Sequence, residues 1–456
     1  MKKIMALFTA LILNMFACLT YSHAETLITY GGQFPDTKTG YVEFLKDNPG
    51  ISMKWSDVIY NPPALLTSAL ISGQFDCDLF VEGTDAINWK DLMKKGYCLD
   101  LSGSSVLTKA VNRMHPQIAA EAYYNGRLYA VPMRINFIYW KVAEETWDAL
   151  GYALSDVPNT FSDFLVFLSS WCDRLEQDPD LDVGIIGGWD GSKYNSGSYT
   201  QWLTELLIDE YIMQMQYAGE ELSFASDELA VYLDQITELG KRIYRLEPKG
   251  CTSCLFEYMA YGAWPEQYDA IVFFRLNEQQ PRLIRSTLYM WAINPSSSDP
   301  DKCVELLEKV VSGEDLSDSA AELFLYRDAV LKENPEYKKQ KEYWTQQKED
   351  VENVLQSNAL SPESRLDFEE KLNRYDAALA LVESQRWLLT EEQLRDYQNA
   401  AEMLYFPAPS VFELSSEGYD TLDEKISRFG SGKLSAEQLL ESLKTISNML
   451  RDEIAE

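Results

Sequence analysis

From Thr26 to Val81 the chain reads strand, helix, strand, helix, strand, and that alternation restricts its possible folds more than any other feature. Thr26 to Tyr30 is extended in pattern and runs into the turn-rich Gly31-Gly32-Gln33-Phe34-Pro35-Asp36. Tyr41 to Lys46 has a helical pattern that Asn48-Pro49-Gly50 stops, and Ile51 to Trp55 is extended again. Leu65, Leu66, Ala69 and Leu70 then recur at helical spacing before Asp78-Leu79-Phe80-Val81, a short buried strand. Strands separated by helices need crossover connections, so the pattern predicts an α/β lobe with a mainly parallel sheet. Ligands of such sheets sit beyond the carboxyl ends of the strands, which points to Gly31 through Phe34 and to Glu82-Gly83-Thr84.

A second constraint is Tyr124-Asn125-Gly126-Arg127-Leu128-Tyr129-Ala130-Val131-Pro132. Asn and Gly tolerate positive φ, so the pair predicts a tight hairpin turn between β-forming flanks. Pro132 has no N–H to give a ladder, and the strand is predicted to stop there as the chain leaves the first sheet. Ile135 to Trp140 is a further β-like run. A hairpin followed by such a crossing predicts passage from one lobe to another, with a cleft between lobes as the place for a ligand. The segment Met290 to Pro300 predicts a second crossing: Asp299 caps a helix with Pro300 at its first position, and Val304, Leu306, Leu307 and Val310 carry its apolar period.

With 456 residues the chain exceeds one small core, so two or three domains are expected. Lys2 and Lys3 followed by the apolar Ile4 to Leu13, then Ser22-His23-Ala24, predict an export signal over residues 1–24 cleaved after Ala24. A lipid anchor on Cys18 is the competing reading. No later segment is apolar for long enough to cross a bilayer. The formal charge of -32 repels phosphate backbones and argues against nucleic acid as a partner.

In the middle of the chain, Thr160 with Asp163 predicts a helix start. Asp182 to Ile186 is strand-like and opens into Gly187-Gly188-Trp189-Asp190-Gly191, Tyr199 to Tyr211 is helical, and Ala270 to Phe274 is a buried strand. From about 334 to 404 the pattern is helical and strongly charged, with Ser361-Pro362 separating two long helices. This stretch reads as a solvated helical pair packed on one lobe, in preference to a partner-docking surface. Thr390 with Gln393 and Ser435 with Gln438 predict capping boxes, the second opening a final amphipathic helix.

Catalytic and metal chemistry find little support. His115 is the only histidine after residue 24 and lies in Arg113-Met114-His115-Pro116, away from any nucleophile motif. Cys251-Thr252-Ser253-Cys254 is a lone CxxC, read as a local disulfide or two buried thiols, and the pairing among Cys77, Cys98, Cys172, Cys251, Cys254 and Cys303 is open. Asp178 to Asp182 starts like a calcium loop, but Val183 and Trp189 stand where that loop needs Gly and Glu. No P-loop is present, and neither a cofactor nor a metal nor a catalytic residue is assigned.

Four stretches carry a resemblance. They are Leu70 through Phe80, the hairpin with Tyr129-Ala130-Val131-Pro132 through Tyr139-Trp140-Lys141, Pro158 through Phe164, and Ile293-Asn294-Pro295-Ser296-Ser297-Ser298; Phe429 through Ser435 also fits. In this order and spacing they resemble the extracytoplasmic solute-binding proteins of ABC transporters, the large family whose better-known members bind sugars and oligosaccharides. Departures are Trp140 where the family has Asn, Phe161 where it has Trp, and the length of the charged helical stretch.

The resemblance implies a two-lobe, periplasmic-binding-protein-like α/β fold with hinge crossings and a helical C-terminal region. Lobe 1 would comprise 25–132, lobe 2 133–288, and 289–456 would return to lobe 1 with a charged helical insertion at about 334–404. It also implies a monomer that closes over a carbohydrate and docks on a membrane permease. A peptide or polyamine is the alternative ligand, and a secreted glycoside hydrolase or an adhesin the alternative class. Sugars present apolar ring faces and a rim of hydroxyls, so aromatic platforms with carboxylates, amides and Arg are the residues to seek. The expected contacts are Gln33, Glu82 and Trp89 in the first lobe, and Arg134 with Asn136 past the hairpin, chosen over Met133 with Ile135. In the second lobe they are Trp189, Asp190, Tyr199, Trp202 and Trp264.

Overall fold

A computed structural model describes residues 25–32, 38–56, 58, 64–187, 196–246, 251, 253–262, 264–265, 267–312, 320–356, 361–414 and 416–455. The predicted signal segment, Gln33, Trp189 and Asp190 therefore lie outside the described residues. The chain is α/β and divides into two compact units, the first formed from residues up to 112, 119–132 and the stretch from 289, the second from 113–118, 133–288 and everything described from 320 onward.

The first unit is built on strand–helix–strand crossovers. Glu25–Tyr30 lies between Ile51–Trp55 and Leu79–Gly83, parallel to both, and Leu79–Gly83 pairs antiparallel with Tyr289 to Ile293. Gly31 ends the first strand at φ +77, and a Cβ there would stand 2.0 Å from the Val81 carbonyl oxygen, so only glycine fits this turn. Two of the motif stretches meet at Asp78, which is 5% exposed. Its Oδ2 accepts from the Ile28 N–H at 2.8 Å and its Oδ1 from Ser297 Oγ at 2.6 Å. Asn294 completes the junction by donating from Nδ2 to the carbonyls of Phe75 and Cys77 at 3.2 and 2.9 Å.

The hairpin turns at Asn125 and Gly126 with φ of 48 and 75, pairing Tyr123 with Leu128 and Tyr124 with Arg127. Pro132 does not stop the next strand, contrary to expectation: Val131–Val142 is continuous, with the proline as its second residue, where a missing donor is tolerated.

In the second unit the Met133 to Val142 part of that strand pairs antiparallel with Ser253–Gly262 and Ile271–Val272, and Val183–Gly187 adds parallel to Ser253–Gly262. Thr160 caps the Phe161–Gln177 helix by accepting from the Asp163 N–H at 3.1 Å. Ser196–Ala218 and Asp227–Leu246 pack together over a core that includes Trp147, Phe164, Trp171 and Phe256. The C-terminal region corrects the expected division. Phe412, Ile426, Phe429, Leu439 and Leu443 complete the apolar core of the second unit, and Ser416–Gly430 lies on Ser196–Ala218, so 320–455 does not return to the first lobe. The amphipathic helices predicted their own burial but not which unit they cover.

The charged stretch forms the antiparallel pair Tyr337–Leu355 and Pro362–Ser384. Trp344 meets Tyr375 at 5.7 Å along its seam, with Lys348–Asp376 at 2.7 Å and Lys341–Glu383 at 3.0 Å. The Thr390–Gln393 and Ser435–Gln438 capping boxes both form. Among the described cysteines, Cys77, Cys98, Cys172 and Cys303 are buried free thiols, while Cys251 and Cys254 are half-buried. No helix among the described residues is long and apolar enough to cross a membrane.

Candidate functional site

In the first unit Glu82 and Trp89 are the expected contacts that lie among the described residues. Glu82 follows Val81 at the carboxyl end of Leu79–Gly83, half-buried, and burial raises its pKa while hydrogen bonds from the Gly83 backbone and Tyr30 oppose the rise. Trp89 begins the Trp89–Lys95 helix, which Asn88 caps from its side chain. Its ring stacks on Phe80 at 5.6 Å and 6°, and only 2% of the residue is exposed. It is part of the core, not a platform open to solvent.

In the second unit the strand alternation puts Arg134, Asn136, Ile138 and Trp140 on one face, with Ile135, Phe137 and Tyr139 buried on the other. Arg134 is exposed and Asn136 half-buried. Tyr199 and Trp202 lie in the core on the Ser196–Ala218 helix, where Trp202 meets Trp140 at 5.5 Å and Phe164 at 6.0 Å. Trp264 belongs to a different aromatic cluster, with Phe137 at 5.2 Å, Tyr397 at 5.1 Å and Tyr268 stacked at 6.1 Å. The indole N–H groups of Trp89, Trp202 and Trp264 have no acceptor among the described residues. Trp171, deep in the core, shares that property, so an orphan indole does not by itself mark a site.

Beside Tyr268 a cavity of about 470 Å³ is lined by Gln267, Asp269, Glu392, Asp396 and Asn399. Carboxylates accept from hydroxyls and amides both donate and accept, so this wall suits a hydroxyl-rich solute. His115 offers no comparable chemistry. Its ring is buried, edge-on to Tyr397 at 5.3 Å, and burial with the nearby Arg327 charge lowers its pKa to about 4.

No family model matches this sequence, and no curated protein is similar to it. Solved structures are. An ABC substrate-binding protein from Listeria monocytogenes in complex with cycloalternan aligns over 94% of this chain and 98% of its own, with a TM-score of 0.51 at 13% identity. A chain from work on xylan utilization by the thermophilic bacterium Caldanaerobius polysaccharolyticus aligns over 92% of this chain and 99% of its own, with a TM-score of 0.51 at 14% identity. The fold is that of the ABC-transporter solute-binding proteins.

On this solute-binding-protein fold the sequence overlooked one group of residues. Asp209 and Glu210 interrupt the apolar run Leu206-Leu207-Ile208 and Tyr211-Ile212, and both face a cavity of about 110 Å³ with Trp140 and Tyr258. Of the two only Glu210 is buried, at 8% exposure, while Asp209 is exposed; an acid directly after the apolar run Leu206-Leu207-Ile208 was the available signal, because carboxylates are seldom buried.

Proposed function

We propose that this chain is an extracytoplasmic solute-binding receptor that captures a carbohydrate and delivers it to an ABC importer. The observation that carries the reading is the likeness, over 94% of this chain, to a substrate-binding protein solved with the saccharide cycloalternan. The polar wall beside Tyr268 supports the same ligand class. Glu82 in the first unit and Arg134 and Asn136 in the second are the proposed ligand contacts, being polar and accessible at strand ends or on the crossing strand. Gln33, Trp189 and Asp190 remain proposed on their sequence positions alone. Trp89, Tyr199, Trp202 and Trp264 have rings too enclosed to offer a face to a sugar in this conformation.

Binding, not catalysis, is the inferred activity. The export signal and cleavage after Ala24 are part of the proposal, with a lipid on Cys18 as the alternative anchor. N-terminal sequencing of the exported protein is expected to begin at Glu25; a blocked, lipid-bearing Cys18 would overturn that cleavage site. The ligand class is tested by thermal-shift screening against oligosaccharides, peptides and polyamines. A solute that binds only the native state raises its melting temperature by mass action. A saccharide is expected to give the shift, and a shift from peptides alone would contradict the reading.

A further inference from the structure

Within the second unit, the turn at residues 267–269 and the Glu391–Ala400 helix line the cavity of about 470 Å³. Small-molecule sites commonly measure ~300–1,000 Å³, so this cavity has room for a ligand, whereas those of about 110 and 210 Å³ at Asp209 fall below that range. Its aromatic member is Tyr268, which is half-buried. The Tyr268 ring is stacked on Trp264 at 6.1 Å and 10°, and its hydroxyl donates to Met403 Sδ at 3.0 Å. Trp264 is 2% exposed and packs in turn on Phe137 of the Val131–Val142 strand at 5.2 Å. Tyr268 is therefore held by one face and by its hydroxyl, and the opposite face is the one a ligand can meet.

The rest of the wall is polar without being a site for a cation. Arg395 stands 3.5 Å from Glu392 and 3.6 Å from Asp396, which offsets the charge of these two acids. Among the described residues the side-chain amides of Gln267 and Asn399 make no hydrogen bond within the chain, so both are available to a solute. Amides give and take hydrogen bonds and carboxylates accept them, which complements hydroxyl groups, since a hydroxyl also does both. An aromatic face beside such a wall suits a solute with an apolar ring face and a rim of hydroxyls.

We infer that this cavity binds one ring of a saccharide, its C–H face on Tyr268 and its hydroxyls on Gln267, Asp396 and Asn399. The inference rests on the carbohydrate-receptor reading and adds to it contacts that lie on neither the strand ends nor the crossing strand. A neutral sugar forms no ion pair with the wall, so its affinity must be nearly independent of salt.

The test is calorimetric titration of the full chain with maltotetraose and with xylotetraose, two neutral saccharides that differ in the exocyclic hydroxymethyl group. Saturable binding of at least one is expected, with the same affinity at about 0.05 and about 0.5 M salt. Tyr268→Ala should weaken it roughly tenfold through loss of the ring. Asn399→Ala, at an exposed side chain, should weaken it about threefold to tenfold through loss of a hydrogen bond. Tyr268→Phe keeps the ring and should cost less affinity than Tyr268→Ala, whereas a tyrosine that served only to hold Met403 would be affected equally by both. Melting curves establish that the variants fold. Saccharide binding that Tyr268→Ala and Asn399→Ala leave unchanged overturns the inference and leaves the receptor reading standing. Absence of binding of both saccharides by the parent chain also overturns the inference, and the receptor reading falls with it only if no other saccharide binds.

Discussion

At the scale of single residues, two buried carboxyls have opposite consequences for stability. Asp78 is matched on both oxygens and ties the Ile28 backbone to the Ser297 turn. Asp78→Ala strands those donors, and chemical denaturation is expected to show a loss of roughly 2–4 kcal/mol; an unchanged midpoint would remove Asp78 from the junction. Glu210 acts the other way. Its folded pKa of about 7 lies above the ordinary 4.5, so the folded state holds a proton that the unfolded chain releases. Stability from this group is therefore full below the unfolded value and is lost as pH rises towards 7. Glu210→Gln removes the charge, and the variant should exceed the parent at pH 8 by about 1–3 kcal/mol, with the difference closing near pH 5. Urea melts at the two pH values measure it, and an equal or less stable variant at pH 8 contradicts the assignment.

Individual elements differ in how much they depend on the rest of the unit. The Tyr337–Leu355 and Pro362–Ser384 helices contact chiefly each other, through Trp344, Tyr375 and two cross-helix ion pairs. Exposed ion pairs contribute at most about 1 kcal/mol each, so the aromatic seam is the main fastening. Trp344→Ala should speed amide hydrogen exchange across both helices while leaving exchange in Ser196–Ala218 unchanged; uniform exchange throughout would show that the pair is fastened elsewhere. Helix starts were legible from sequence because a cap is local: Thr160, Thr390 and Ser435 each bond within three residues. Pro132 was not. A proline's missing donor matters only where a neighbour would have received it, and the second residue of Val131–Val142 is a place where it is tolerated.

For the whole molecule, the α/β class was legible because crossover strands impose a repeating pattern on the chain itself. The stretches around Asp78 and Asn294 were legible as two separate parts of the resemblance, and the hydrogen bonds that join them were not. The allegiance of residues 320–455 was not legible, since an apolar helix face such as Leu439 and Leu443 says that it is covered and not by what. The candidate site divides in the same way. Glu82 follows from the strand-end rule, whereas the burial of Trp89, Trp202 and Trp264 depends on packing from distant segments, and Asp209 and Glu210 are concealed in a run that reads as core. The central claim is carbohydrate capture by this fold. Its most direct test is equilibrium titration with the saccharide that gives the largest thermal shift, comparing the parent chain with Glu82→Gln and Arg134→Ala. Saturable binding that weakens roughly tenfold in each folded variant is the predicted result; no binding of any saccharide by the parent chain would contradict the account.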